Sequence, residues 1–163
     1  MSRVIRTEPL TPEAFTPFGQ VLDASGPPDK IINQGMCGRY HDRACIDIEN
    51  GRAGISLFKA KARRFPIVLD MVERHPDGSQ AFLPMTFDPF VVVVAPDENG
   101  YPGHPRAFLT VAGQGINFSR GTWHGVLTPL KGPGLFAVVD RIGAGPNLEE
   151  HWFDAPFTIE NED

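Results

Sequence analysis

The chain has 163 residues, of which 41% are apolar and 21% charged, enough for one domain that buries a sizeable core. The net charge is −5 and the basic residues are scattered rather than striped, which argues against a nucleic-acid-binding surface. No apolar run approaches the ~18 residues of a membrane helix, and the opening MSRVIRTEPL has no apolar leader, so a cytoplasmic protein is expected.

In chain order, LTPEAFTPFG carries the one clear helix signal. Thr11 can cap, Pro12 fits the first helical position, Glu13 suits the positive end, and Pro17 and Gly19 stop the helix after barely two turns. The two cysteines that follow, Cys37 and Cys45, lack CxxC spacing and are expected as buried thiols in a reducing compartment. From there the chain reads as strand. ACIDIEN, GISLFKAKA, RFPIVLDMVERH, SQAFLPM, PFVVVVAP, RAFLTVA, INFS, HGVLTPL and LFAVVDRI are short, rich in Val, Ile, Leu and Phe, and bounded by Gly, Pro, Asp or Asn. The alternation of ISLFKAK implies one buried face, and Lys59, Lys61, Arg63 and Arg64 mark a solvated edge. FVVVV, apolar at every position, implies burial on both faces. Residues 160–163 read as a flexible acidic tail.

Seventeen Gly and 16 Pro suit many short strands joined by turns, and no repeat, linker or low-complexity block divides residues 1–163. The expected architecture is one all-β domain: a closed or two-layered antiparallel β barrel with a short N-terminal helix and room inside for a ligand.

Polar residues with chemistry gather in VERHPDGSQAFLPM. Pro76 forbids a helix and pushes His75 to an extended conformation, and HPDG reads as a type I turn. Alternation puts Glu73 and His75 on one face and Arg74 on the other. A hairpin would return Gln80 to the face of Glu73 and His75. Further on, Gly113, Ser119, Gly121 and His124 have the spacing G-x5-S-x-G-x2-H, in which Gly121 supplies a turn that delivers His124.

The first stretch resembles cupin motif one, H-x-H-x4-E, with Glu73 for the first His, His75 as the second, and Gln80 for the Glu. The second resembles motif two, G-x5-P-x-G-x2-H, with Ser119 for Pro and His124 as its ligand. More narrowly, INQGMCGRYHD, ERHPDGSQAFLPM, FVVVVA, RAFLTVAGQGINFSRGTWHGVL and VVDR are similar to the ureidoglycolate lyase family over nearly the whole chain. The resemblance implies a homodimeric cupin barrel (a double-stranded β-helix or jelly roll). It also implies cleavage of ureidoglycolate into glyoxylate and urea during allantoin breakdown, and a link to nickel. Glu73, His75, Gln80 and His124 would then form a site for nickel or another divalent ion such as manganese or zinc, with metal-free catalysis as the alternative. Gly125 stands where some members carry a second His.

Within this frame His75 and His124 are expected to bind metal or move protons, Glu73 to act as ligand or base, and Gln80 to anchor polar groups or tie down the turn. The substrate carboxylate needs a cation: Arg39, Arg74, Arg120 and Arg141 are candidates, alternation counts against Arg74, and Arg39 in GRYHD is favoured. His41 is a further site candidate and Trp123 reads as pocket wall. His104 and His151 read as loop and surface. Two other readings use the same cavity: a non-catalytic cupin that binds a small carboxylated ureide, and a metal-dependent oxygenase or isomerase.

Overall fold

The computed structural model describes residues 2–162. One helical turn, α1 (Pro12–Phe15), begins where the Thr11 side chain accepts the Ala14 N–H at 3.2 Å. The strands of the first half are β1 (Val4–Pro9), β2 (Gly19–Leu22), β3 (Lys30–Ile32), β4 (Cys37–Arg39), β5 (Arg52–Ala60), β6 (Ile67–Arg74) and β7 (Gln80–Pro84). Those of the second are β8 (Phe90–Ala95), β9 (Asp97–Glu98), β10 (Tyr101–Pro102), β11 (Arg106–Leu109), β12 (Gly115–Phe118), β13 (Trp123–His124), β14 (Thr128–Pro129), β15 (Gly134–Ile142) and β16 (Glu149–Glu160).

Six strands close on themselves in the order β11-β1-β16-β6-β13-β8, with β8 returning to β11. A second sheet, β2-β12-β7-β15-β5, packs beside this ring. Its edge strand β5 includes Lys59 of the basic residues read as a solvated edge, while Lys61, Arg63 and Arg64 lie in the segment after it. The barrel is mixed rather than antiparallel as expected, because β1 runs parallel to both its neighbours, β11 and β16.

Two apolar cores result. Ile5, Leu69, Val72, Val91, Val93, Trp123, Phe157 and Ile159 fill the ring. Phe15, Phe82, Phe90, Val92, Val94, Phe108, Phe118 and Phe136 fill the space between the ring and the second sheet. FVVVV, read as buried on both sides, is β8, and its alternate residues enter the two cores.

Several expectations change. β6 and β7 do not form a hairpin: β6 pairs with β13 and β16, β7 with β12 and β15, and the Pro76–Asp77 turn crosses between sheets. ACIDIEN is not a strand and contributes one bridge, Ile48 to Gly78. HGVLTPL splits into β13 and β14. The longest strand, β16, gave no sequence signal; its ladder shifts register between Trp152 and Phe157, where Pro156 lacks an N–H to donate. Cys37 and Cys45 are exposed rather than buried, since both lie on the β3–β4 flap or the loop after it.

Of the acidic tail, Glu160 ends β16 and pairs with Arg6, while the Thr7 hydroxyl donates to Asn161 Oδ1 at 3.1 Å and accepts the Glu162 N–H at 3.1 Å. Asp163 lies outside the described residues. Among the described residues no helix is long and apolar enough to cross a membrane.

Candidate active site

Strand β13 is two residues long, and strand alternation sends its side chains in opposite directions. Trp123 enters the core of the ring, while His124 faces the inter-sheet space. The preceding turn requires Gly121, whose φ of +78° is a conformation that L side chains rarely adopt. The Gly121 N–H donates to the His75 carbonyl at 3.0 Å, which ties the loop before His124 to the turn after β6.

On β6, Glu73 lies directly opposite His124 in the antiparallel pairing, so both side chains share one face. His75 follows on the same side, its ring centroid 5.1 Å from that of His124. One ligand-capable atom from each of Glu73, His75 and His124 lies within 4.8 Å of the others. These three sequence-predicted residues are brought together.

Each imidazole has a fixed tautomer. His75 Nδ1 lies 2.8 Å from the Asn147 carbonyl and His124 Nδ1 lies 3.0 Å from the Gly125 carbonyl. A carbonyl can only accept, so each Nδ1 carries a proton, and in the neutral ring each Nε2 presents a lone pair. Both Nε2 atoms are buried and take no hydrogen bond among the described residues. An imidazole that donates through one nitrogen to a backbone carbonyl and leaves the other bare is the arrangement of a metal-ligating histidine.

His124 is 2% exposed and stacks on the Phe118 ring at 4.3 Å and 7°. Burial, and secondarily the nearby His75, push its pKa down from 6.5 to about 3, against a smaller upward pull from the Gly125 carbonyl. It is therefore neutral at physiological pH and suited to ligation. Glu73 moves the other way: burial raises its carboxyl above the usual range, opposed by His75 and helped by Glu150. The two imidazole Nε2 atoms and the Glu73 carboxyl form a donor set that fits a borderline divalent ion such as nickel, manganese or zinc.

Gln80 arrives from the second sheet. It pairs with Phe118 across β7 and β12, which puts it beside Phe118 on the side facing His124. Its Nε2 donates to Asp140 Oδ2 at 3.1 Å, and its Oε1 is buried without a partner. Asn117 also has an unpartnered buried Oδ1, but its Nδ2 bonds Gln20 Oε1 at 2.9 Å and the Cys45 carbonyl at 3.1 Å on the opposite face of β12.

The other sequence candidates are not gathered here. Trp123 is turned away from the cluster, donating to Asp97 Oδ1 at 3.0 Å beneath the Arg74 guanidinium, 4.3 Å from its ring. Arg74 pairs with Asp97 and Glu149, as the alternation argument required. Arg120 pairs with Asp47 and Glu49, and Arg141 donates to the Glu49, Asn50 and Ala144 carbonyls. Arg39 and His41 are exposed, on β4 and just after it, and Arg39 enters no ion pair among the described residues. His104 lies in a loop, whereas His151 is on β16, packed among Trp123, Tyr101 and Phe153. A side chain at Gly125 would press on Val93 at 3.1 Å and Leu69 at 3.4 Å within the ring, so a histidine there would not join the cluster.

Asn147, Phe118 and Asp140 were missed in the sequence. Asp140 alone left a signal, as the one charge interrupting the apolar run LFAVV before Arg141.

The family model described as ureidoglycolate lyase matches residues 2–160. A ureidoglycolate lyase of Rhodobacter capsulatus is 59% identical over 154 residues, 94% of this chain and 96% of that protein. One from a Chelativorans species is 50% identical over 159 residues, 96% of each chain. Ureidoglycolate lyase 2 of Rhizobium meliloti is 49% identical over 154 residues, 93% of this chain and 94% of the relative.

Proposed function

The chain belongs to the ureidoglycolate lyase family, and on that footing we propose that it splits ureidoglycolate into glyoxylate and urea in the breakdown of allantoin, with Glu73, His75 and His124 at its centre. The observation that carries this reading is the pair of bare Nε2 atoms beside a carboxylate of raised pKa, in a chain of this family.

Ureidoglycolate is the adduct of urea and an aldehyde that bears a carboxylate. Its cleavage moves one proton from the hydroxyl to the departing urea nitrogen while the C–N bond breaks and the carbonyl forms. Glu73 suits both halves of that transfer: burial makes it a better proton acceptor than a solvated carboxylate, and it returns the proton to nitrogen. His75 and His124 through Nε2, and Glu73 through one of its two oxygens, would hold a divalent ion such as nickel, manganese or zinc. Bound there, the ion would supply positive charge that acidifies the hydroxyl. The Phe118 ring keeps His124 in plane and excludes water behind it.

Of the four candidate arginines, Arg74, Arg120 and Arg141 are committed elsewhere, which leaves Arg39 for the substrate carboxylate by elimination, from an exposed position on β4 outside the cluster. Arg39→Ala should raise KM about tenfold or more with kcat less affected, whereas an unchanged KM would remove Arg39 from binding.

We read the barrel as cupin-like and the protein as a cytoplasmic homodimer. Support for the dimer comes from the outer face of the second sheet, where Leu57, Ala137 and Leu83 form one cross-strand row and Ile55, Val139 and Ala81 the next. Ile55 is 75% exposed, Leu57 65% and Leu83 40%, which is unusual for a solvated sheet face.

The deciding experiment follows urea, glyoxylate and ammonia from racemic ureidoglycolate with purified protein. Urea and glyoxylate without ammonia establish the lyase. Absence of turnover while ligand still binds defeats it in favour of a non-catalytic ureide binder. His75→Ala and His124→Ala should each lower turnover by about 100-fold or more.

A further inference from the structure

The Gln80 side chain is held in one orientation by a neighbour outside the cluster. Asp140 follows Val139 on β15, and Val139 pairs with Ala81, so Asp140 and Gln80 are adjacent across the β7–β15 pair. A carboxylate accepts and does not donate, so the amide must turn its NH2 group toward Asp140 Oδ2, at 3.1 Å. Gln80 Oε1 is thereby left as a buried acceptor with no partner among the described residues, a state that costs stability unless something supplies a donor. The same sheet position brings Gln80 beside Phe118, the ring on which His124 stacks.

We propose that Asp140 is a positioning residue that locks Gln80 with its oxygen toward the bound molecule, and that this oxygen accepts the N–H groups of a ureido substituent. The proposal rests on the ureidoglycolate reading and adds to it the group that recognises the urea half of the substrate. Glu73 and the two imidazoles present acceptors and lone pairs, and none of them distinguishes a ureide from an oxygen-bearing analogue as directly. A substrate carrying an ester or a second carboxylate there would set lone pairs against the Oε1 lone pairs, in a buried place where neither can turn to water.

The test uses the full-length protein and two non-reacting ligands. N-Carbamoylglycine retains the ureido group and carboxylate but lacks the hydroxyl; glyoxylate retains the carboxylate without the ureido group. Dissociation constants are measured by calorimetry for wild type, Asp140→Asn, which lets the amide turn either way, and Gln80→Leu, which removes the acceptor. Binding of N-carbamoylglycine should weaken about fivefold or more in both variants, the range expected for a lost or unsatisfied buried hydrogen bond, and glyoxylate binding should stay within about twofold. Unchanged ureide binding in both variants overturns the proposal, as does an equal loss for the two ligands. A fall in nickel affinity in Gln80→Leu with ureide selectivity retained also overturns it, because it makes Gln80 an ion ligand instead. Turnover of ureidoglycolate by the wild type is measured alongside. If that is absent, the functional reading itself fails; if it is present while selectivity does not move, only the role of Asp140 and Gln80 fails.

Discussion

Glu73 and His124 stand directly opposite each other across the β6–β13 pair, although 51 positions separate them in sequence. Burial shifts their pKa values in opposite directions, raising that of the carboxyl and lowering that of the imidazole.

The pH dependence of stability follows from His124. Its pKa falls from 6.5 unfolded to about 3 folded, so its contribution is complete above about pH 6.5 and is lost as pH drops toward 3. The slope in that window reaches at most about 1.4 kcal/mol per pH unit. Glu73, raised above 4.5, has the opposite sign: its contribution is present below 4.5 and is lost as pH rises through its folded value, which offsets part of the slope. Urea denaturation of metal-free protein between pH 4 and 7 should show a shallower slope for His124→Gln than for wild type. Parallel slopes would refute the assignment to His124.

Divalent ions should stabilise the folded protein if the bare Nε2 atoms are ligands. At an ion concentration 100 times Kd the gain is about 2.7 kcal/mol, which raises Tm by several degrees in a domain of this size. Thermal scans of chelated protein with and without nickel should show that rise in wild type and not in Glu73→Gln or His75→Ala. An equal rise in all three would place the ion elsewhere.

Charge placed on the outer row of the second sheet should separate protomers. Leu57→Asp exposes a carboxylate where the dimer reading buries an apolar contact, and sedimentation equilibrium should shift from dimer to monomer with little change in the far-ultraviolet spectrum. A variant that remains dimeric would show that the interface lies elsewhere.

Gly121→Ala tests the turn that delivers His124. No atom lies within 4 Å of an added Cβ, so the penalty is conformational, about 1 kcal/mol or more from φ +78°. Turnover should fall by more than this stability loss accounts for, because the Gly121 bond to the His75 carbonyl shifts as well. Turnover equal to wild type would mean that the loop does not position the imidazole.

Glu73, His75, Gln80 and His124 could be picked out in the sequence because proline, glycine and strand alternation leave local marks and because their spacing resembles the two cupin motifs. How they meet could not. The expected β6–β7 hairpin would have set Gln80 alongside Glu73, whereas β6 and β7 belong to different sheets and His124 takes the place opposite Glu73. A turn such as HPDG is compatible with either outcome, and strand partners are chosen by distant side chains. Strand β16 was invisible for a related reason: EEHWFDAPFTIE has charges and a proline, and it becomes a strand by filling the gap between β1 and β6. Trp123 shows the limit of reading neighbours together, since adjacent strand residues face opposite cores.

Strand β8 lends Val91 and Val93 to the ring and Phe90, Val92 and Val94 to the inter-sheet layer. Neither layer can melt while the other keeps its wall, because the same six residues would have to be ordered and disordered at once. The protein should therefore lose structure in one calorimetric transition, and a cavity cut into the ring at Val93 should loosen the imidazole-bearing side as well. Distance from the cluster is thus a poor guide to which substitutions spare it.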